Sequence, residues 1–235
     1  GFSKMILKTE AEIERKVEET AKEIFEKGEK LKIVLVSGRS ASGKTTFTKK
    51  VCKKLCEMGR EAKHIALDDF LLGFGYMPVN EDGTFDMESI AGLDTALANE
   101  TFRLLLTEGK ADFPTFDFPN QRRGEKWNRV ELGKNGIVMI EGIHSLNPLL
   151  TENLPEEGIL RMFIEPKKGY RKDGKYVLSP EEVRLMRRIT RDELFRGWSA
   201  EKTLVQWKSV LAGEKIYIEP YIDSAEIKVD SSMDF

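Results

Sequence analysis

The stretch LKIVLVSGRSASGKTT, residues 31–46, decides the fold. Its first half, Leu31 to Val36, is a short β-rich apolar run that halts at Ser37-Gly38, as a strand buried on both faces does. Its second half, Gly38-Arg39-Ser40-Ala41-Ser42-Gly43-Lys44-Thr45, satisfies the spacing G-x-x-x-x-G-K-[ST] in full, and a helical pattern starts near Lys44. Strand, glycine loop and helix in that order make a phosphate-binding loop. The glycines let successive backbone N–H groups turn inward around phosphate oxygens, and the helix adds its positive N-terminal end. Lys44 then reaches the β and γ phosphates of a nucleotide, and Thr45 offers its hydroxyl to Mg²⁺. The competing reading is an ordinary Gly/Ser turn, which does not require the complete pattern.

Working outward, residues 9–27 place Ile13, Val17, Ala21, Ile24 and Phe25 at helical spacing among Glu and Lys, a helix that ends near Gly28. Short apolar runs at His64 to Leu67, Gly136 to Ile140, Leu160 to Ile164 and Ile227 to Val229 alternate with helical stretches near 89–108, 181–195 and 200–211. This alternation predicts an α/β fold, a P-loop NTPase-like parallel sheet of roughly five strands with helices on both faces. Two segments interrupt it. Leu72 to Asp86 is rich in Gly, Pro, Asn and Asp, and Asp112 to Val130 reads as strand, turn, strand. The second is expected to be a substrate-side β-hairpin over 112–130. Lys167 to Pro180 reads as a loop leading into the arginine-dense helix Arg184 to Arg196, together a lid over about 167–197. The expected organisation is an N-terminal helix, 1–30, packed outside a domain of 31–235.

Charge is balanced, with 38 Lys+Arg against 40 Asp+Glu, so no global field holds a polyanion and nucleic acid is not an expected partner. The longest apolar runs, such as Ile137 to Ile140, are far shorter than the roughly 20 residues that cross a bilayer, so no membrane is expected either. Cys52 and Cys56 are the only cysteines, too few for a disulfide framework or a four-cysteine zinc site, and a reducing cytoplasm is the expected setting. The chain opens at Gly1 with Met5 inside and carries no secretory leader, which reads as a tag scar or as an excised fragment, the latter leaving room for an upstream domain.

Several residues can carry chemistry. Asp68 and Asp69 end the second expected strand, where the carboxyl ends of parallel strands face the ligand crevice. A carboxylate there can accept a hydroxyl proton, or serve as a helix cap. Glu141 ends the strand Ile137 to Ile140, a place suited to an acid that holds the metal through water, although any strand must end in something polar. Arg184, Arg187, Arg188 and Arg191 fall on one helix face, with Arg196 further on. Such a row clamps phosphates, or forms a solvated face salted by Glu181, Glu182, Asp192 and Glu193. His64, His144, Trp127, Trp198 and Trp207 read as packing or hydrogen-bonding groups, and the Arg122-Arg123 pair is open between roles.

The motifs GRSASGKTTF (38–47), ALDDF (66–70), NEDGTFDMESIAGLD (80–94), FPTFDF (113–118), EGIHSLNP (141–148), RLMRRITRDELFRGWSAEKTLVQW (184–207) and GEKIYIEPY (213–221) occur in that order. Over Lys32 to Val229 the chain resembles the uridine/cytidine kinase and phosphoribulokinase group of P-loop kinases. It looks most like the bacterial uridine kinase-like branch, in which a threonyl-synthetase-like regulatory domain often precedes the kinase. The resemblance implies an ATP- and Mg²⁺-dependent kinase. ATP would be bound by Gly38, Ser40, Ala41, Ser42, Gly43, Lys44, Thr45 and Thr46, with Arg188 from the lid. Asp68 takes the catalytic-base position and Asp86 that of the ribose-hydroxyl binder. Glu141, with Thr45, takes that of the metal-associated acid, and Arg188, Arg191 and Arg196 those of the lid arginines. Gln206 fits a substrate-side glutamine, and Arg123 is counted on the same side. The chain departs from the family at the base pocket: Phe116 and Gln121 replace a tyrosine and a histidine, Trp198 an arginine, and Leu71 an aromatic.

The expected reaction is transfer of the ATP γ-phosphoryl group to a small hydroxyl acceptor, a nucleoside 5′-hydroxyl first, with weak discrimination among bases. The alternatives are a kinase for a sugar phosphate or pantothenate-like compound, or an ATP-binding sensor module. A homo-oligomer is compatible with all three.

Overall fold

The strand Ile33–Gly38 is buried along its whole length, because Ile33 and Leu35 face one hydrophobic layer while Val34 and Val36 face another. Only a central strand of a covered sheet has this pattern. The computed structural model describes residues 2–80, 83, 85–172 and 175–232. Glu81, Asp82 and Thr84 of the NEDGTFDM stretch, and Asp173 and Gly174 of the expected lid, lie outside the described residues, as do Gly1 and residues 233–235.

In chain order the elements are α1 (Phe2–Glu26), β1 (Ile33–Gly38), α2 (Lys44–Glu57), β2 (Ala62–Ala66), α3 (Thr95–Glu108), β3 (Lys110–Phe113), β4 (Phe116–Asp117), β5 (Arg122–Arg123) and β6 (Asn128–Glu131). Then follow β7 (Ile137–Glu141), β8 (Ile159–Glu165), β9 (Tyr170–Lys172), β10 (Lys175–Leu178), α4 (Pro180–Arg196), α5 (Ala200–Tyr217) and β11 (Ile227–Asp230). A five-stranded sheet in the order β11-β8-β1-β7-β2 has every neighbouring pair parallel. This is the α/β architecture expected of a phosphate-loop domain.

One face of the sheet is covered by α1 and α2, through Val17, Ala21 and Ile24 against Phe47, Val51, Leu55 and the strand residues Val34, Met139 and Met162. Arg60, 2% exposed, anchors the end of α1. Its guanidinium donates to the carbonyls of Ile24 (3.0 Å), Gly28 (2.9 Å), Leu31 (2.7 Å) and Asn135 (3.0 Å), tying the last turn of α1 and the chain after it to the loop before β7. The other face carries Phe102 and Leu105 of α3 with Phe70 and Phe113. Phe70 meets Phe102 and Phe113 edge-on at centroid distances of 6.1 and 5.8 Å, which fixes the turn after β2 against α3 and the hairpin.

Four boundaries differ from the sequence reading, each for a local reason. The second strand runs over Ala62–Ala66, and Asp68 and Asp69 follow it on a single 3-10 turn, Leu67–Phe70, whose buried Leu67 and Phe70 stand three apart as that helix requires. The helix expected from 89 begins at Thr95, because Asp94 caps it by accepting the Leu97 N–H (3.1 Å) while Ser89 caps a separate 3-10 turn, Ile90–Gly92. The segment 167–180, expected as loop, carries the antiparallel ladder of β9 and β10. The last long helix, α5, continues past 211 to Tyr217. The segment 112–130 is a hairpin as expected, built from two successive ladders, β3 with β6 and β4 with β5.

Candidate functional site

The phosphate loop leaves β1 at Gly38, where a Cβ would lie 2.1 Å from the Ile164 carbonyl oxygen and 2.9 Å from the Lys44 side chain. Only glycine lets the strand, its neighbour and the lysine approach this closely. Gly43 (φ 86) then turns the chain in the left-handed region so that α2 starts at Lys44. Lys44 is 8% exposed, and its ammonium donates to the Arg39 carbonyl at 3.1 Å. Burial holds its pKa below the usual lysine range, against the opposing pull of Glu141 and Asp68.

Two carboxylates face the lysine from neighbouring strand ends. Glu141, at the end of β7, accepts the Thr45 hydroxyl at 2.9 Å and has His64 Nε2 at 3.6 Å. Burial disfavours its charge, but His64, Lys44 and Thr45 prevail and hold its pKa below the ordinary carboxylate value. Hydroxyl and carboxylate oxygens side by side are a donor set for a hard divalent cation completed by phosphate and water. Among the described residues no cluster of three or more His, Cys, Asp or Glu side chains offers a cation site of its own.

Asp68 and Asp69 have separate environments. The Asp69 carboxylate accepts the Phe116 backbone N–H and so ties the 3-10 turn to β4. Asp68 is exposed at its surface. Desolvation by the protein around it, then the charges of Glu141 and Asp69, raise its pKa to about 6 against the opposing effect of Lys44 and Arg196.

The arginine row does not lie on a solvated face. Ser179 and Glu182 form a capping box at the start of α4. From there Arg184 and Arg188, 4% and 7% exposed, turn toward the loop. Arg188 Nη1 donates to Ser40 Oγ at 2.6 Å. Asp192, fully buried, gathers Arg188 (3.4 Å), Arg191 (3.2 Å), Arg196 (3.2 Å) and the Thr203 hydroxyl (3.3 Å). Burial and the neighbouring Arg196 lower the Arg191 pKa. Asp192, which reads in the sequence as surface salting, is the residue that holds these arginines together.

On the remaining side of the crevice, Asp86 is committed to its surroundings. It accepts the Glu88 N–H (3.1 Å) and the Tyr217 hydroxyl (3.1 Å). Glu88, two residues on, is raised to about 7 by burial first and by Glu214 and Asp86, while Arg188 and Lys44 oppose the shift. The sequence reading missed Glu88; its signal was the second acid of the Asp86-Met87-Glu88 triplet. His144 donates to the Glu88 carbonyl, stacks edge-on to Tyr217 at 5.7 Å, and is held neutral by burial with a pKa of about 4. Phe116 meets Phe118 edge-on at 5.0 Å, and Phe118 is half exposed; it too was missed. Gln121 (φ 50) donates through Nε2 to the Phe118 carbonyl at 2.6 Å, and Arg123 pairs with Asp94 at 2.9 Å. Gln206 lies half-buried on α5, and Trp198 packs under the Lys202 ammonium at 4.0 Å. The structure therefore brings the loop, Asp68, Glu141, Arg188 and Arg191 into one charge cluster. Gln121 and Arg123 are engaged within their own scaffold.

Comparison with known proteins agrees with this geometry. The model of the Phosphoribulokinase / Uridine kinase family matches residues 33–234. A uridine kinase of Mycoplasma genitalium is 27% identical over 196 residues, 83% of this chain and 83% of that protein. Uridine-cytidine kinase B of Dictyostelium discoideum is 29% identical over 214 residues, 86% of this chain and 75% of that protein. A solved structure from Bacillus stearothermophilus named "Possible Uridine Kinase" superposes with a TM-score of 0.61 at 17% identity, covering 93% of this chain and 100% of that one, which speaks to the fold. Among the described residues no helix is long and apolar enough to cross a membrane.

Proposed function

The chain belongs to the Phosphoribulokinase / Uridine kinase family, kinases that move a phosphoryl group from ATP to a small hydroxyl compound, and from this premise we propose that its acceptor is the 5′-hydroxyl of a nucleoside. One observation carries the reading: Lys44 at the start of α2, Glu141 at the end of β7 and Asp68 on the turn after β2 share one charge cluster in which the carboxyl of Asp68 is raised to about 6. A phosphate cradle facing a proton acceptor is what phosphoryl transfer to an alcohol needs.

In the proposed mechanism the amides of 38–46 and the Lys44 ammonium hold the ATP phosphates. Thr45 and Glu141 would hold Mg²⁺, which when bound neutralises charge on the phosphates. Asp68 takes the proton of the acceptor hydroxyl; with a pKa of about 6 it is ionised at neutral pH and still basic enough to accept. Arg188, Arg191 and Arg196, held by Asp192, meet the charge that develops on the transferred group. Asp86 and Glu88 would bind the sugar hydroxyls, Arg123 and Gln206 would serve the same substrate, and Phe116 and Phe118 would offer aromatic surface to a ring. The kinase body would comprise 31–235, with 1–30 as an outer helix.

One observation favours a second acceptor class. The amide of Gln121 and the guanidinium of Arg123 are bonded to the Phe118 carbonyl and to Asp94, so the donors best placed to read a base are already engaged. A sugar phosphate or another hydroxyl compound without a base would not need them. The experiment is kcat/KM for uridine, cytidine, adenosine, guanosine and a base-free ribose compound at saturating ATP and Mg²⁺. Turnover of the nucleosides with less than about a hundredfold spread among bases, near 2.7 kcal/mol, supports the reading. Turnover of the base-free compound alone contradicts it.

A further inference from the structure

The motif GEKIYIEPY contributes a residue that the proposed reaction does not use. Glu214 of α5 is 1% exposed, yet its carboxylate reaches the crest of the phosphate loop across 174 residues of chain. Oε1 accepts the Ser40 N–H at 3.1 Å and Arg184 Nη1 at 2.5 Å; Oε2 accepts Arg184 Nη2 at 3.0 Å and Arg39 Nη1 at 3.2 Å. Arg184 Nη1 also donates to the Ser40 carbonyl at 3.2 Å. The peptide groups on both sides of Ser40 are therefore fixed, one by Glu214 directly and one by the arginine that Glu214 holds.

We propose that Glu214 is a positioning residue for the nucleotide phosphates, acting through Ser40. This inference rests on the kinase reading and adds a residue to its nucleotide side. Ala41, directly after Ser40, sits in the left-handed region (φ 57), which a residue with a Cβ adopts only where its surroundings impose it. Pinning the two peptide groups before it imposes the turn, and the turn aims the first amides of α2, which have no partner within the helix, at the phosphate position. The same grip joins the loop to α4, so that Arg188 is delivered to Ser40 Oγ at 2.6 Å. A glutamine cannot substitute. All four partners of the carboxylate are donors, so whichever way the amide is turned its NH₂ faces a donor.

The test is binding of the non-hydrolysable analogue AMP-PNP with Mg²⁺ by calorimetry, beside KM values for ATP and for the acceptor. Glu214→Gln is expected to raise Kd for AMP-PNP and KM for ATP at least tenfold, while KM for the acceptor changes less than twofold. Glu219→Gln removes another Arg39 partner, at 3.0 Å, without touching Ser40; its Kd is expected to stay within twofold of wild type. Because a lone buried arginine strains the fold, the pair R184M/E214L removes both charges together and is expected to lose affinity likewise. A Kd within twofold of wild type in either folded variant overturns the assignment of Glu214 alone, provided the wild-type chain binds. An equal rise in both KM values marks general loosening and overturns it too. Failure of the wild-type chain to bind AMP-PNP overturns the kinase reading itself.

Discussion

The two sides of the crevice are built differently. On the nucleotide side the loop crest is firmly held: Ser40 is bonded through its N–H, carbonyl and hydroxyl, and Lys44 rests on the Arg39 carbonyl. On the proposed acceptor side two acids stay above their ordinary range despite nearby cations, Asp68 raised to about 6 and Glu88 to about 7. On the proposed reading, the contrast follows from what each side receives. Phosphate is one chemical shape, so a rigid nest of backbone amides suits it. An acceptor must be deprotonated as well as bound, so its site needs carboxylates whose charge the protein disfavours.

The comparison breaks first at Lys44. Lys44→Ala should lower turnover on the order of 10⁴-fold and weaken ATP binding, because charge neutralisation on the phosphates is most of the catalysis. Near-normal steady-state turnover would remove the nucleotide side from the account. The next effect is on the acceptor side. Asp68→Asn should lower kcat by about 10² to 10³ at unchanged ATP affinity, since only proton acceptance is lost. The wild-type rate should fall as pH drops through about 6, where Asp68 takes up a proton, and the variant should lose that limb. Asp69→Asn should do less, as Asp69 is committed to the Phe116 N–H; the reverse order in measured kcat would make Asp69 the base.

Glu88→Ala is smaller, about a tenfold rise in acceptor KM with ATP KM unchanged, the worth of one hydrogen bond to a charged group. A change in ATP KM instead would move Glu88 to the other side of the crevice. The smallest effect is on stability. The folded pKa of Asp68, about 6, lies above its ordinary value of 3.8. The folded state thus gains from the neutral carboxyl fully below 3.8 and loses that gain as pH rises through 6. Asp68→Asn removes the cost of the ionised form, so its Tm should exceed wild type by about 2 °C at high pH, a size limited by solvent screening of an accessible group. Scanning calorimetry at pH 8 and pH 4 should show the gap only at the former; equal gaps at both would deny the shift.

The same contrast explains what the sequence disclosed. The strand, loop and helix are contiguous, so local spacing specified them, and the alternation around them specified a parallel sheet but not the order of its strands. The acceptor side is assembled from a 3-10 turn, a hairpin and two helices far apart in the chain. No periodicity announces that Asp192 is buried among arginines, or that Glu214 meets Ser40. The loop reading of 167–180 failed for a related reason: Tyr170–Lys172 pairs with Lys175–Leu178 through backbone bonds, and the polar composition of the segment conceals that ladder. Asp86 stood out because it matched a family position, whereas Glu88 is set apart by burial and by the charges of Glu214 and Asp86, which no local pattern shows.

The central claim is that the crevice transfers phosphoryl groups from ATP to a hydroxyl. Phosphorus NMR with mass spectrometry of the products, from wild type and Lys44→Ala incubated with ATP, Mg²⁺ and each acceptor of the panel, tests it most directly. The wild-type chain should yield ADP and an equimolar phosphate monoester of at least one nucleoside, and the variant neither. ADP and free inorganic phosphate in equal amounts, with every acceptor recovered unchanged, would contradict it.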